Sequence, residues 1–231
     1  MSTLNLKKSA ENLKLNLAKR GVHNPPQAEL AFVLDVSGSF DHQHRSGVTQ
    51  KLLERLVPWG IAFDPDKKLD VFTFSNSPEY VGEITPETTD GYVRREIVDQ
   101  HSNYNGGTEY AGVLEKVLKH FGWMKQGGIM GFLGGKKEKK RSIVLFVTDG
   151  DNSDHAAAKK ALKDSEARKD EVYFLFIGIG HAAFPFLQKV ADDFGNTGLT
   201  IIKDMAKFVA QTDDEVNDAL IGDELITWLK K

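Results

Sequence analysis

The chain has 231 residues, 40% of them apolar and 27% charged, with a formal net charge of −3. That length suits one sizeable α/β domain, and the near-balanced charge gives no general pull toward nucleic acid or acidic lipid. With no cysteine there is neither a disulfide framework nor a thiolate metal site, and no run approaches the roughly 20 apolar residues that span a bilayer.

Residues 1–27 read as an amphipathic helical extension. Leu6, Ala10, Leu13 and Leu17 recur at helical spacing, with lysines and Arg20 on the other faces. Gly21 stops the helix and Pro25-Pro26 prevents its continuation. Such a helix either packs back on its own domain, the commoner outcome, or lies on a membrane surface. The opening residues lack the apolar stretch of a secretory signal, so the cytoplasm is the expected compartment.

From residue 28 to 231, β-like runs alternate with helical patterns. Strands are expected at 29–34, 68–74, 142–148, 172–177 and 199–202, with a short edge strand at 79–82. Their apolar residues come in near-continuous runs, the mark of strands covered on both faces. Helices are expected at 46–63, 90–100, 109–121, 154–169 and 184–194. This order calls for a mostly parallel sheet with helices on both sides. Thr212-Asp213-Asp214-Glu215 has the form of a capping box. Trp59, Phe63, Phe72, Phe74, Phe174 and Phe176 fall on these patterns and are expected in the core. The segment 122–141 breaks the alternation. It is glycine-rich, carries Trp123, Ile129, Met130, Phe132 and Leu133, and ends in a basic run. It reads as an insertion that contacts a partner or membrane, or folds over the domain's own edge.

Chemistry concentrates at three places. Asp35-Val36-Ser37-Gly38-Ser39 follows the first apolar run, Thr108 follows Gly106-Gly107, and Asp149 ends the run 142–148. In an open parallel sheet, ligands collect beyond the carboxyl ends of the strands. Hydroxyls and carboxylates without histidine or thiol suit a hard divalent cation, Mg²⁺ first, with Mn²⁺ or Ca²⁺ as alternatives. Ser37, Ser39 and Thr108 are the direct donors expected of such a site, and Asp35 and Asp149 act through water. Neutral donors leave the cation electrophilic, so its remaining position attracts a carboxylate, with a partner protein's Glu or Asp the obvious source.

Other patterns carry less. The stretch from Asp149 to Lys160 fails as an EF-hand because its sixth position is Asp154 and its twelfth Lys160. Asn152, Ser153 or Asp154 is expected to cap the following helix. His42 and His44 are placed on different helix faces and expected in solvent. Gly178-Ile179-Gly180 lacks the third glycine of a dinucleotide fingerprint and reads as a tight turn.

The pentad, the distant Gly-Thr and the Thr148-Asp149-Gly150 run resemble the von Willebrand factor A (vWA) domain with an intact metal-ion-dependent adhesion site (MIDAS). Glu54-Arg55-Leu56-Val57-Pro58, Phe63-Asp64, Asp70-Val71-Phe72, Asn105 to Tyr110 and Trp228-Leu229-Lys230 resemble the tellurite-resistance branch of that family. Phe40 departs from the methionine common there, and His42-Gln43-His44 is unusual. The resemblance implies a Rossmann-like, three-layer α/β/α fold and a bacterial or phage stress protein that binds partners through a metal, without catalysis. The competing reading is a Mg²⁺-dependent phosphohydrolase in the same acidic crevice, but Ser37 stands where its second carboxylate would be. Peripheral membrane recruitment is the third.

Overall fold

The apolar runs become a six-stranded sheet in a computed structural model that describes residues 2–100, 103–125 and 139–231. Its strands are β1 (Glu29–Asp35), β2 (Leu69–Phe74), β3 (Pro78–Ile84), β4 (Ser142–Thr148), β5 (Val172–Ile179) and β6 (Thr197–Ile202). They lie in the order β3-β2-β1-β4-β5-β6. Every neighbouring pair is parallel except β2 with β3. β1 and β4 are central neighbours, with Leu34 opposite Val147, so the ends of these two strands open at the same pole.

Alternate side chains on each central strand enter two separate cores. On one side Leu30, Phe32 and Leu34 of β1 join Ile143, Leu145 and Val147 of β4. They are covered by α1 (Thr3–Lys19), α3 (Val48–Phe63), α7 (Met205–Val209), α8 (Asp213–Leu220) and α9 (Asp223–Leu229). On the other side Ala31, Val33, Val144 and Phe146 meet α4 (Ala111–His120), α5 (His155–Ala167) and α6 (Pro185–Asp193). This is the three-layer α/β/α arrangement that the sequence leads one to expect. The six aromatic residues assigned to the core are all buried.

α1 packs on the domain. Leu6, Leu13 and Leu17 are fully buried, each worth roughly 2 kcal/mol relative to exposure. Asn16 Nδ2 donates to Asp214 Oδ1 at 2.9 Å, and Arg20 Nη1 to the Ile221 carbonyl at 2.7 Å. The capping box is present, with Thr212 and Glu215 bonded reciprocally at the start of α8.

Several boundaries differ from the sequence reading. The expected helix at 46–63 is preceded by a separate short helix, α2 (Asp41–Arg45). The break falls at Gly47, where φ is +79°. The helical pattern at 90–100 condenses to a π-helical turn over Val93–Val98. The edge strand β3 is longer than expected, with a bulge against β2 between Val71 and Phe72. Most of the insertion 122–141 lies outside the described residues. Its base is held where the Trp123 indole N–H donates to the Lys140 carbonyl at 3.0 Å. Among the described residues no helix is long and apolar enough to cross a membrane.

Candidate metal centre

Asp35 is the last residue of β1 and is fully buried. Its carboxylate organises the turn that follows. Oδ1 accepts the Ser37 N–H at 2.8 Å, and Oδ2 accepts the Thr148 hydroxyl of β4 at 2.6 Å. The chain then curls through a short 3₁₀ turn, Gly38–Phe40, into α2, anchored by the buried Phe40 ring. Ser37 Oγ lies 3.2 Å from Ser39 Oγ, and Ser39 Oγ donates to Asp149 Oδ1 at 2.8 Å. The Asp149 residue, next after β4, therefore meets the pentad as adjacent strands allow.

The loop carrying Thr108 is fastened between these two segments. Ser37 forms an isolated parallel bridge with Gly106. Gly38 N–H donates to the Gly106 carbonyl at 3.0 Å, and Asn105 N–H to the Val36 carbonyl at 2.7 Å. Gly106 and Gly107 permit this approach, since a Cβ would stand 2.6 Å from Ser75 Oγ or 2.4 Å from Asn76 Oδ1 respectively. On its other side the Thr108 carbonyl accepts the Ser153 N–H at 3.0 Å. Thr108 is half-buried, and its hydroxyl makes no hydrogen bond to a described residue. Asp35, Ser37, Ser39, Thr108 and Asp149 thus come from three loops that are hydrogen-bonded together.

The electrostatics suit a cation. Burial pushes the Asp35 carboxyl up to about 6, against the pull of hydrogen bonds from Ser37 and Thr148. Burial likewise raises the Asp149 carboxyl, opposed by Ser39. No lysine or arginine pairs with either acid among the described residues. A buried carboxylate beside a half-buried one, neither with a basic partner among the described residues, is unfavourable as an anion pair, a condition that a divalent ion reverses. The donors are all hard oxygens, so the residues present fit the expected metal.

The structure adds residues that the sequence reading missed. His44 is buried beneath the pentad, 3% exposed, which corrects its expected place in solvent. His42 is exposed, so the two histidines do not form a pair. Asp154 stands at the start of α5 but caps a different helix. Its carboxylate accepts N–H groups of Tyr110 at 2.9 Å and Ala111 at 2.7 Å, at the start of α4. The local acid density from Asp149 to Asp154 was visible in the sequence; the target of Asp154 was not. Asp151 pairs with His155 at 3.0 Å, one turn along α5. Tyr110 donates its hydroxyl to the Gly150 carbonyl at 2.6 Å and steadies that loop.

Comparisons with known proteins agree with this architecture. The uncharacterized protein YcbR of Bacillus subtilis (strain 168) is 28% identical over 238 residues, covering 100% of this chain and 88% of its own. A von Willebrand factor type A structure from Catenulispora acidiphila superposes with a TM-score of 0.58 at 17% identity, over 83% of this chain and 42% of that one. Proximal thread matrix protein 1 of the mussel byssus, solved with a zinc-occupied MIDAS motif, gives 0.54 at 18% identity over 80% and 47%. The chain spans less than half the length of those two solved chains. Residues 27–231 match the family described as the vWA found in the TerF C terminus, and the chain belongs to this vWA-TerF-like family.

Proposed function

We propose that the chain is a metal-dependent protein-binding module of a cytoplasmic tellurite-resistance or stress-type system. Ser37, Ser39 and Thr108 bind a divalent cation through their hydroxyls, while Asp35 and Asp149 hold it through water. The observation that carries this reading is the unbroken line of oxygen contacts from Ser37 through Ser39 to Asp149. The Thr108 loop is bonded to Ser37 at one end of that line and to Ser153, four residues beyond Asp149, at the other. When bound, the cation supplies an electrophilic position for an acidic side chain of a partner protein. Mg²⁺ is the ion favoured by a donor set made only of oxygen.

Two features favour binding over the phosphohydrolase alternative. Both Asp35 oxygens accept hydrogen bonds and the residue is fully buried, which denies a nucleophile its approach. Among the described residues no histidine touches Asp35 through its carboxylate: His44 meets only the main-chain oxygen.

The test is calorimetric titration of the chain with MgCl₂, alongside Ser37→Ala and Asp149→Ala. Binding that is lost in both variants while their circular dichroism is unchanged supports the reading. Capture of a partner in excess EDTA, undiminished by either substitution, would rule out the metal bridge.

A further inference from the structure

A groove of about 540 Å³ opens beside the metal centre, between α2, the first turn of α3 and the ends of β5 and β6. α2 follows directly on the Ser37–Ser39 turn, and β5 is the strand next to β4, with Gly178 opposite Thr148. The groove therefore continues the surface on which the cation would sit. Its floor is apolar, built from Ile179, Met205 and Val209, all buried. Its rim carries His42, Lys51, His181 and Lys203, all exposed.

Neither Lys51 nor Lys203 forms an ion pair with a described residue. The one acid on the rim, Asp204, is already engaged. Its Oδ1 accepts the Lys207 N–H at 3.0 Å, and its Oδ2 lies 3.6 Å from Lys207 Nζ. The rim is thus cationic in balance.

We propose that this groove binds an extended acidic segment of the partner, with carboxylate and apolar side chains in alternation. The inference rests on the metal-dependent reading, because the segment runs on from the acid that reaches the cation. An extended chain directs successive side chains to opposite faces. Its apolar residues settle on Ile179, Met205 and Val209, while its carboxylates face Lys51 and Lys203. A concave floor with cationic walls fits a single extended chain better than the flat face of a bilayer.

The probe is a fluorescein-labelled peptide of alternating aspartate and leucine, titrated with the full chain in Mg²⁺ and followed by anisotropy. Mg²⁺ binding is measured separately, with MgCl₂ alone. The double variant Lys51→Glu, Lys203→Glu is expected to weaken peptide binding roughly tenfold or more while leaving Mg²⁺ affinity unchanged. Equal peptide affinity in that variant, or no peptide binding by the unmodified chain, overturns the inference. So does uptake by phosphatidylserine vesicles in place of the peptide. If the chain takes up no Mg²⁺ yet holds the peptide through Lys51 and Lys203 in EDTA, the metal reading fails and the groove assignment stands.

Discussion

The imidazole of His44 lies beneath Asp35, its Nε2 2.9 Å from the Asp35 main-chain oxygen. Its other ring nitrogen is 3.1 Å from the Thr49 hydroxyl on α3. Burial holds this ring down at about 4, so at neutral pH it is uncharged, donating to the carbonyl and accepting from the hydroxyl. The end of β1 is thereby tied to α3 behind the candidate metal centre.

Replacing this ring should loosen the turn it supports. His44→Ala removes two buried hydrogen bonds and leaves a void against Phe40, whose ring centroid is 4.8 Å away. Urea denaturation should register a loss of about 2–3 kcal/mol. Calorimetry should show weaker Mg²⁺ binding, although His44 is not among the proposed ligands.

Gly106 tests whether the Thr108 loop must lie close. In Gly106→Ala the new methyl would press on the Ser75 side chain, so the loop has to withdraw from Ser37. Overpacking of this kind costs about 1–3 kcal/mol. Metal affinity should fall further than in a control of equal instability remote from the loop, such as a core Ile→Val elsewhere.

Asp154 offers a second route to the same loop. Asp154→Ala leaves the amides of Tyr110 and Ala111 without their cap, at a cost of about 1 kcal/mol. Amide exchange should accelerate at the start of α4, with no change along α3. Asp154→Asn should restore only part of the protection, because its amide nitrogen cannot accept the second of the two N–H groups.

Asp64 predicts a pH dependence remote from the candidate metal centre. Burial raises its carboxyl to about 6, eased by the Asp66 N–H and reinforced by the charge of Glu29. One of its oxygens is buried with no hydrogen-bond partner among the described residues. A folded value above the unfolded one means that the group destabilises the fold when ionised, above about pH 6. The penalty fades as pH falls toward the unfolded value of 3.8. Asp64→Asn should therefore raise stability at pH 8 by about 1–3 kcal/mol and have little effect near pH 4, read from paired urea curves.

The two faces of α1 should respond differently. Leu13 is fully buried and Leu15 is 61% exposed. Leu13→Ala should cost about 2–4 kcal/mol, and Leu15→Ala less than about 0.5 kcal/mol. Equal effects in thermal melts would show that α1 does not pack on the domain in solution.

The fold was legible in the sequence where burial on both faces leaves an unbroken apolar run. Ser142–Thr148 matches its expected bounds for that reason. The reading faltered where long-range contacts decide the outcome. β6 starts at Thr197, earlier than its apolar run, because Thr197 and Gly198 pair with Phe174 and Leu175 across the sheet. At the candidate centre, the pentad, Thr108 and Asp149 could be named because each marks a strand or helix end with oxygen donors. His44 and Asp154 could not, because their partners sit on other elements, Asp154 capping a helix some 40 residues upstream. Nothing local distinguishes such an aspartate from one that caps its own helix.

One rim of the sheet has a bearing on how the molecule behaves at high concentration. β3 begins with a proline, carries Glu79 and Glu83, and is kinked by the bulge opposite Val71 and Phe72. Gly82 adds a φ of +141°. A foreign strand drawn to that margin would find an irregular ladder that opens on a proline, so fibrillar stacking has no straight template there. This flank of the domain thus discourages copies of the chain from joining edge to edge.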